Sequence, residues 1–219
     1  MSERGISWLP LSVRLDGLTV VGVGAGEVGW SKYASVLHAG AVLTVVAEEA
    51  CADVREAAAD GRLVWWRRAY ATGDIQGAVL AIAATADDAV NDRVAADAAA
   101  AATLCLRIDG GGTAALMSVV RRGPLAITVS TGGAAPALAR RIRSELGERY
   151  GPEHGELAAL LGDLRADPAV RDELGRLPAS QRAARWRAVL DTDILRILRT
   201  GHPDLAKEAA LACLFSPAD

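Results

Sequence analysis

The chain has 219 residues, 51% of them hydrophobic but only 4% aromatic with a single Phe, so a packed core must come mostly from Ala, Val, Leu and Ile. A formal net charge of −3 excludes general electrostatic attraction to nucleic acid or an anionic membrane as the basis of function. The opening Met1-Ser2-Glu3-Arg4-Gly5 leads into no signal-like apolar stretch, and no apolar run reaches the ~18–20 residues of a membrane span, so a cytoplasmic location is expected.

The first 110 or so residues alternate short apolar runs with helix-like stretches, the pattern of a parallel α/β sheet. Residues 18–23 read as a strand, 31–39 as a helix, 42–46 as a second strand, 50–59 as a helix and 63–67 as a third strand. A fourth strand spans 79–84 and stops at Thr85. The Ala-rich stretch 87–102 favours helix, and 103–108 makes a fifth strand ending at Asp109. Cys105 falls inside that strand as a small core residue. With Cys51 and Cys213 it shows no paired or metal-type spacing, as expected in a reducing compartment.

Gly110-Gly111-Gly112 interrupts the pattern. Residues 115–120 and 125–129 are β-prone and joined by Arg121-Arg122-Gly123-Pro124, a turn. Residues 135–150 read as a helix with Pro136 in the first turn, where a missing N–H costs nothing. Beyond Gly151 the chain reads as helical at 153–165, 168–174, 179–190 and 204–214. Boundaries near 112 and 150 give an expected organisation of 1–112, 113–150 and 151–219. The segment 115–129 is too apolar for an exposed hairpin, which predicts a homodimer built through it and the following helix.

Gly24-Ala25-Gly26-Glu27-Val28-Gly29 follows a strand-like run and opens a helix-like one, the setting that a dinucleotide fingerprint requires. The first glycine permits the tight turn, the second lets a pyrophosphate approach the backbone, and the third lets helix and strand pack closely. The helix N-terminus then offers unpaired N–H groups to the phosphates. Gly22 adds to the glycine content, and a glycine turn that binds nothing is the competing reading. A ribose-binding acid belongs at the end of the second strand, about 20 residues on. Glu48 and Glu49 are the available acids, slightly late, and read equally as solvated residues at a helix start. No arginine accompanies them to take a 2′-phosphate, which favours NAD over NADP.

Ligands of open α/β sheets bind outside the carboxyl ends of the strands. Asp109 occupies such an end and suits a general base beside a nicotinamide; a cap for the glycine turn is the other reading. Ser130-Thr131-Gly132-Gly133 places hydroxyls and glycine amides before a helix that carries Arg140, Arg141 and Arg143. This reads either as an anion site or as an ordinary capped helix. Of the 24 basic residues 22 are arginine, which is compatible with a carboxylate-bearing substrate.

These segments together resemble the precorrin-2 dehydrogenase family, the N-terminal module of siroheme synthases. The resemblance rests on Trp8-Leu9-Pro10-Leu11 with Leu15-Asp16-Gly17-Leu18, on the glycine turn with Lys32, and on Leu80-Ala81-Ile82-Ala83-Ala84-Thr85-Ala86-Asp87-Asp88 followed by Val90-Asn91-Asp92-Arg93-Val94. It extends through Arg122-Gly123-Pro124-Leu125, Ser130-Thr131-Gly132-Gly133, Pro136, Leu138-Ala139-Arg140 and Arg143 to His154, Leu157, Leu164 and Trp186. It implies a Rossmann-type sheet, a small α+β dimerisation segment and a C-terminal helical domain. It also implies NAD-dependent oxidation of precorrin-2 to sirohydrochlorin in siroheme biosynthesis, with iron insertion as a further activity in some members.

By the same resemblance Asp109 is the catalytic residue, and Gly24, Ala25, Gly26, Glu27, Val28, Glu48 and Thr85 contact the cofactor. Arg107, Ser130, Thr131, Gly132, Gly133, Arg140 and Arg141 face an acidic tetrapyrrole substrate, and no residue is assigned to a resident metal. The chain departs from the family near the aspartate. Leu106 stands where an asparagine is usual, Arg107 follows it, and Gly110-Gly111-Gly112 replaces a loop with proline and aromatic residues. Trp30 is also unusual on the cofactor helix. A paralogue oxidising another small molecule, or a non-catalytic NAD- or tetrapyrrole-binding protein, is the alternative these departures favour.

Overall fold

A computed structural model describes residues 8–216; Met1 to Gly5, read above for targeting, lies outside that range. The chain forms two compact units that divide between Leu116 and Met117.

The first unit is a five-stranded parallel sheet of β1 (Thr19–Val23), β2 (Val42–Val46), β3 (Val64–Trp66), β4 (Leu80–Ala83) and β5 (Leu104–Arg107), in the order β3-β2-β1-β4-β5. Strands β1, β2, β4 and β5 are sandwiched between two layers, so their buried residues are apolar and alternate between two cores, whereas the edge strand β3 leaves Val64 and Trp66 exposed. Val20, Leu43, Val45, Ile82 and Leu106 point to one face, where they meet Tyr33 and Val36 of α1 (Glu27–His38) and Val54 and Ala57 of α2 (Ala52–Ala59). Val21, Val23, Val46, Ala81, Ala83 and Cys105 point to the other, against Val94 and Ala98 of α3 (Asp88–Ala100). Asp87 caps α3 by accepting the amides of Ala89 and Val90.

The crossover from β3 to β4 contains no helix. Arg68 grips Asp74 through two hydrogen bonds of 2.7 Å, and Tyr70, Ile75 and Ala78 plug the second core in place of a helical face.

The order reverses between β1 and β4, and in open sheets that switch point is where ligands bind. Elements expected from the sequence appear with boundaries shifted by a few residues. The largest shift is α1, which begins at Glu27 rather than Ser31. Gly29 is tolerated inside it because the helix must pass close to Gly24 and Ala84.

The second unit starts with a hairpin of β6 (Ser118–Arg122) and β7 (Leu125–Val129). Its turn is only Gly123-Pro124, two residues shorter than read from the sequence. Gly123 has φ +52°, and the proline ring then fixes the second φ negative. Helix α4 (Pro136–Arg149) lies against the hairpin. It is followed by α5 (Pro152–Ala166), α6 (Pro168–Gly175), α7 (Ala179–Leu190), α8 (Ile194–Arg199) and α9 (Pro203–Phe215). Leu164, Val170, Val189, Ile194, Ala206, Ala210 and Leu214 form a third core.

Helix α8 has no counterpart among the sequence expectations. At six residues with no side-chain cap it carries little local signal, and it exists because Ile194 and Leu198 are buried. Its Arg199 reaches the buried Glu153 at the start of α5 through two hydrogen bonds, 2.7 and 3.1 Å.

Among the described residues no helix is long and apolar enough to cross a membrane.

Candidate functional site

The carboxyl end of β1 runs straight into the glycine turn. Gly24 has φ +91°, and a Cβ there would overlap the Ala84 carbonyl and lie 2.9 Å from the Thr85 nitrogen. The backbone can therefore pass close to β4 only without a side chain. Gly26 is different: a Cβ on it would meet nothing within 4 Å. The space over Gly26 is open, and α1 begins there with no side-chain cap for its first-turn amides. An open space facing unpaired N–H groups and a positive helix end fits a pyrophosphate. Ala25 is buried, whereas Glu27 and Val28 are exposed at the start of the helix.

The sequence reading missed the support beneath this turn. Tyr33, fully buried in α1, donates its hydroxyl to the Gly24 carbonyl, and its ring fills the space that a Cβ on Gly22 would occupy. Burial holds the Tyr33 phenol far above its ordinary range, so it is a permanent donor. Gly22, which looked like surplus glycine, is required by that ring. The signal available was a tyrosine four residues past the last glycine, in a chain with only three tyrosines.

Thr85 sits just past β4, and the almost fully buried Asn91 grips its loop. The Asn91 side-chain amide donates to the Thr85 carbonyl at 3.1 Å, and its oxygen accepts the Thr85 amide at 3.1 Å and the Thr85 hydroxyl at 2.9 Å. Asn91, quoted for the resemblance only, is thus what shapes the loop on the β4 side of the switch point. Glu48 is exposed, with Ala47 between it and the last residue of β2. The segment it belongs to is tied to the glycine turn through the Cys51 amide, which donates to the Ala25 carbonyl at 2.8 Å. Arg67 follows β3 beside the hydrogen bond from Ala47 to Trp66, with its guanidinium 5.5 Å from the Trp65 ring centroid. It is a cation at the sheet's carboxyl end that a reading confined to β2 overlooked.

At the end of β5 the structure brings Arg107 and Asp109 together. Arg107 donates Nε and Nη2 to the two Asp109 oxygens at 2.9 and 2.6 Å, and Nη1 to Asp92 on α3 at 2.6 Å. The guanidinium fork holds the Asp109 carboxyl below the usual carboxylate range. The Arg107 guanidinium therefore already has two carboxylate partners from its own chain. Leu106, in the asparagine position, is buried in the α1/α2-side core with Ile108 and Ala114 packed around it. Gly110 and Gly111, at φ +95° and +79°, then turn the chain back. The Ala114 amide donates to the Cys105 carbonyl at 2.9 Å, and Gly112 lies so close to that carbonyl that a Cβ would overlap it.

In the second unit the Ser130 hydroxyl accepts the Gly132 amide and the Thr131 hydroxyl accepts the Ala135 amide, both at 3.2 Å. Gly132 and Gly133 have φ +62° and +84°. Arg140, Arg141 and Arg143 are exposed on α4, and Arg141 pairs with Glu145 one turn on at 3.0 Å.

Residues 11–117 match a protein family described as "Putative NAD(P)-binding", and residues 122–149 match the family "Sirohaem biosynthesis protein central". The chain is 35% identical over 204 residues to the siroheme synthase of Ectopseudomonas mendocina, covering 91% of this chain and 42% of the relative. It is 36% identical over 217 residues to that of Azotobacter vinelandii, covering 94% and 45%. The chain is thus similar to siroheme synthases over most of its length, with a putative NAD(P)-binding segment at 11–117 and a sirohaem-biosynthesis central segment at 122–149. It spans less than half the length of these curated relatives. A solved structure of a precorrin-2 dehydrogenase, SirC, superimposes with a TM-score of 0.71 at 22% identity, over 94% of this chain and 98% of that one. The fold is the same as that of SirC, as the resemblance implied.

Proposed function

We propose that the protein is an NAD-dependent dehydrogenase that oxidises precorrin-2 to sirohydrochlorin in siroheme biosynthesis. The observation that carries this reading is the open glycine turn at the sheet's switch point, with a carboxylate, Asp109, just past the carboxyl end of β5, two strands along the same sheet. When bound, the dinucleotide supplies a two-electron acceptor for hydride.

The chain's own residues do the rest. Gly24, Ala25, Gly26, Glu27 and Val28 hold the pyrophosphate on backbone amides, Glu48 takes the ribose hydroxyls, and Thr85 lines the β4 side. A ring carbon of the reduced tetrapyrrole gives up hydride, and Asp109 accepts the accompanying proton. Loss of hydride leaves a cation whose remaining proton is strongly acidic. A weak base suffices to remove it, provided the base is ionised at every working pH, and a carboxylate held by a guanidinium meets that requirement. The Ser130-Thr131-Gly132-Gly133 loop, Arg140 and Arg141 are the proposed ligands for substrate carboxylates. Asp109 kept beside an altered loop favours one second reading, a paralogue with another small-molecule substrate.

Mixing the protein with precorrin-2 and NAD and following the visible spectrum tests the proposal. The expected result is conversion to the sirohydrochlorin spectrum with reduced cofactor formed in equal amount. No conversion, with NAD binding intact, would favour the paralogue.

The working form is a homodimer in the cytoplasm, and the proposed domain roles are cofactor binding for 1–112, assembly for 113–150 and a helical domain for 151–219. The two-stranded hairpin supports dimerisation. Helix α4, which lies against the hairpin, keeps Leu138 50% exposed. Light scattering at micromolar concentration should give twice the chain mass; a purely monomeric species would reject it.

A further inference from the structure

The resemblance and the charge of the substrate both suggest that Arg107 clamps a substrate carboxylate. The geometry points elsewhere. Arg107 closes β5, and its side chain is only 15% exposed. Three of its five N–H donors are used, in 2.6–2.9 Å bonds to Asp92 and Asp109. Asp92 belongs to α3 and is the next residue after Asn91, which grips the Thr85 loop. One turn of α3 thus reaches the ends of both β4 and β5.

Asp109 itself follows the strand and precedes two positive-φ glycines, so its own backbone gives it little restraint. Apart from its own backbone amide, the Asp109 carboxylate is hydrogen-bonded among the described residues to Arg107. The fork takes one lone pair on each carboxylate oxygen and leaves the others open to solvent, where the carboxylate is 31% exposed.

We propose that Arg107 positions Asp109 rather than the substrate: anchored by Asp92, its guanidinium fork sets the direction in which the Asp109 carboxylate points. Asp92 is a positioning residue at one further remove. The inference rests on the proposed dehydrogenase function for its kinetic part only. The charged and titratable groups facing Asp109 are Arg107 and, along the strand, the buried Cys105; Asp92 faces Arg107 from α3.

Arg107→Met, Arg107→Lys and Asp92→Asn decide it, with two readouts. The first needs no substrate: the Asp109 side-chain carbon is followed through a pH titration by NMR of 13C-labelled protein. In the wild type it should titrate below the ordinary carboxylate value of about 3.9. In Arg107→Met it should rise to or above that value, and in Arg107→Lys it should stay low, because a lysine restores charge but not the fork. The second readout is kinetic. Arg107→Met and Arg107→Lys should both lower kcat about tenfold or more, with KM for the tetrapyrrole and Kd for NAD within about threefold. Asp92→Asn should lower kcat less. This pattern follows if direction as well as charge matters.

An Asp109 titration unchanged in Arg107→Met would overturn the proposal. So would a tenfold rise in KM at unchanged kcat, which is the mark of a substrate clamp. If the wild type turns over neither precorrin-2 nor a related substrate, the dehydrogenase reading fails and the titration alone decides the role of Arg107.

Discussion

Two strand ends of one parallel sheet behave differently. At the end of β1 the restraint is geometric: Gly24 passes close to β4, Gly26 leaves open space, Gly29 lets the helix approach, and Tyr33 with Gly22 holds the turn from below. At the end of β5 the restraint comes from side-chain charge. Arg107 bridges Asp92 and Asp109, Leu106 is drawn into the core, and a run of glycines turns the chain back on the strand. Backbone geometry defines the first end. An ion-pair cluster defines the second.

If the two ends are separable, variants at each should fail in different measurements. The largest effect is expected for Asp109→Asn, whose turnover should fall by the ~10²–10⁴ typical of lost acid–base assistance while NAD affinity stays within about twofold. Steady-state kinetics and calorimetry check this; a turnover loss under about threefold would make Asp109 a turn cap. Gly26→Asp should show the opposite profile. A carboxylate placed in the open space over the turn should weaken NAD binding by about 100-fold or more in calorimetry, because it puts a charge against the pyrophosphate. The Arg107–Asp109 pair should be untouched. Unchanged NAD affinity would place the dinucleotide elsewhere.

The smallest effect sharpens the contrast further. Gly22→Ala puts a methyl group into the Tyr33 ring and should cost about 1–3 kcal/mol of stability, the usual penalty of overpacking. A urea melt of the variant with and without NAD would detect it. A loss well under 1 kcal/mol would mean that the tyrosine moves freely and does not brace the turn.

Much of this molecule was legible in its residues because the signals are local. Alternating apolar runs and βαβ spacing identify a parallel sheet, since strands buried on both faces must be apolar throughout. GxGxxG marks the turn because only glycine tolerates the close approach and positive φ at Gly24. The aspartate at the end of β5 could be found by counting strands. What the residues alone did not reveal depends on contacts between distant segments. Tyr33 beneath Gly22 and Gly24, Asn91 around Thr85, and α8 as a helix at all are products of packing that no short pattern encodes. The pairing of Arg107 lies in the same class. Arg107 and Asp92 are 15 residues apart, and only the register that sets β5 beside β4, with α3 packed over both, brings the Asp92 carboxylate within 2.6 Å of the guanidinium. Residue types determined that a glycine turn opening a helix and a carboxylate would lie at the carboxyl end of one sheet. Tertiary structure decided which groups brace the turn and what holds the carboxylate, because burial and ion pairing are properties of neighbours in space.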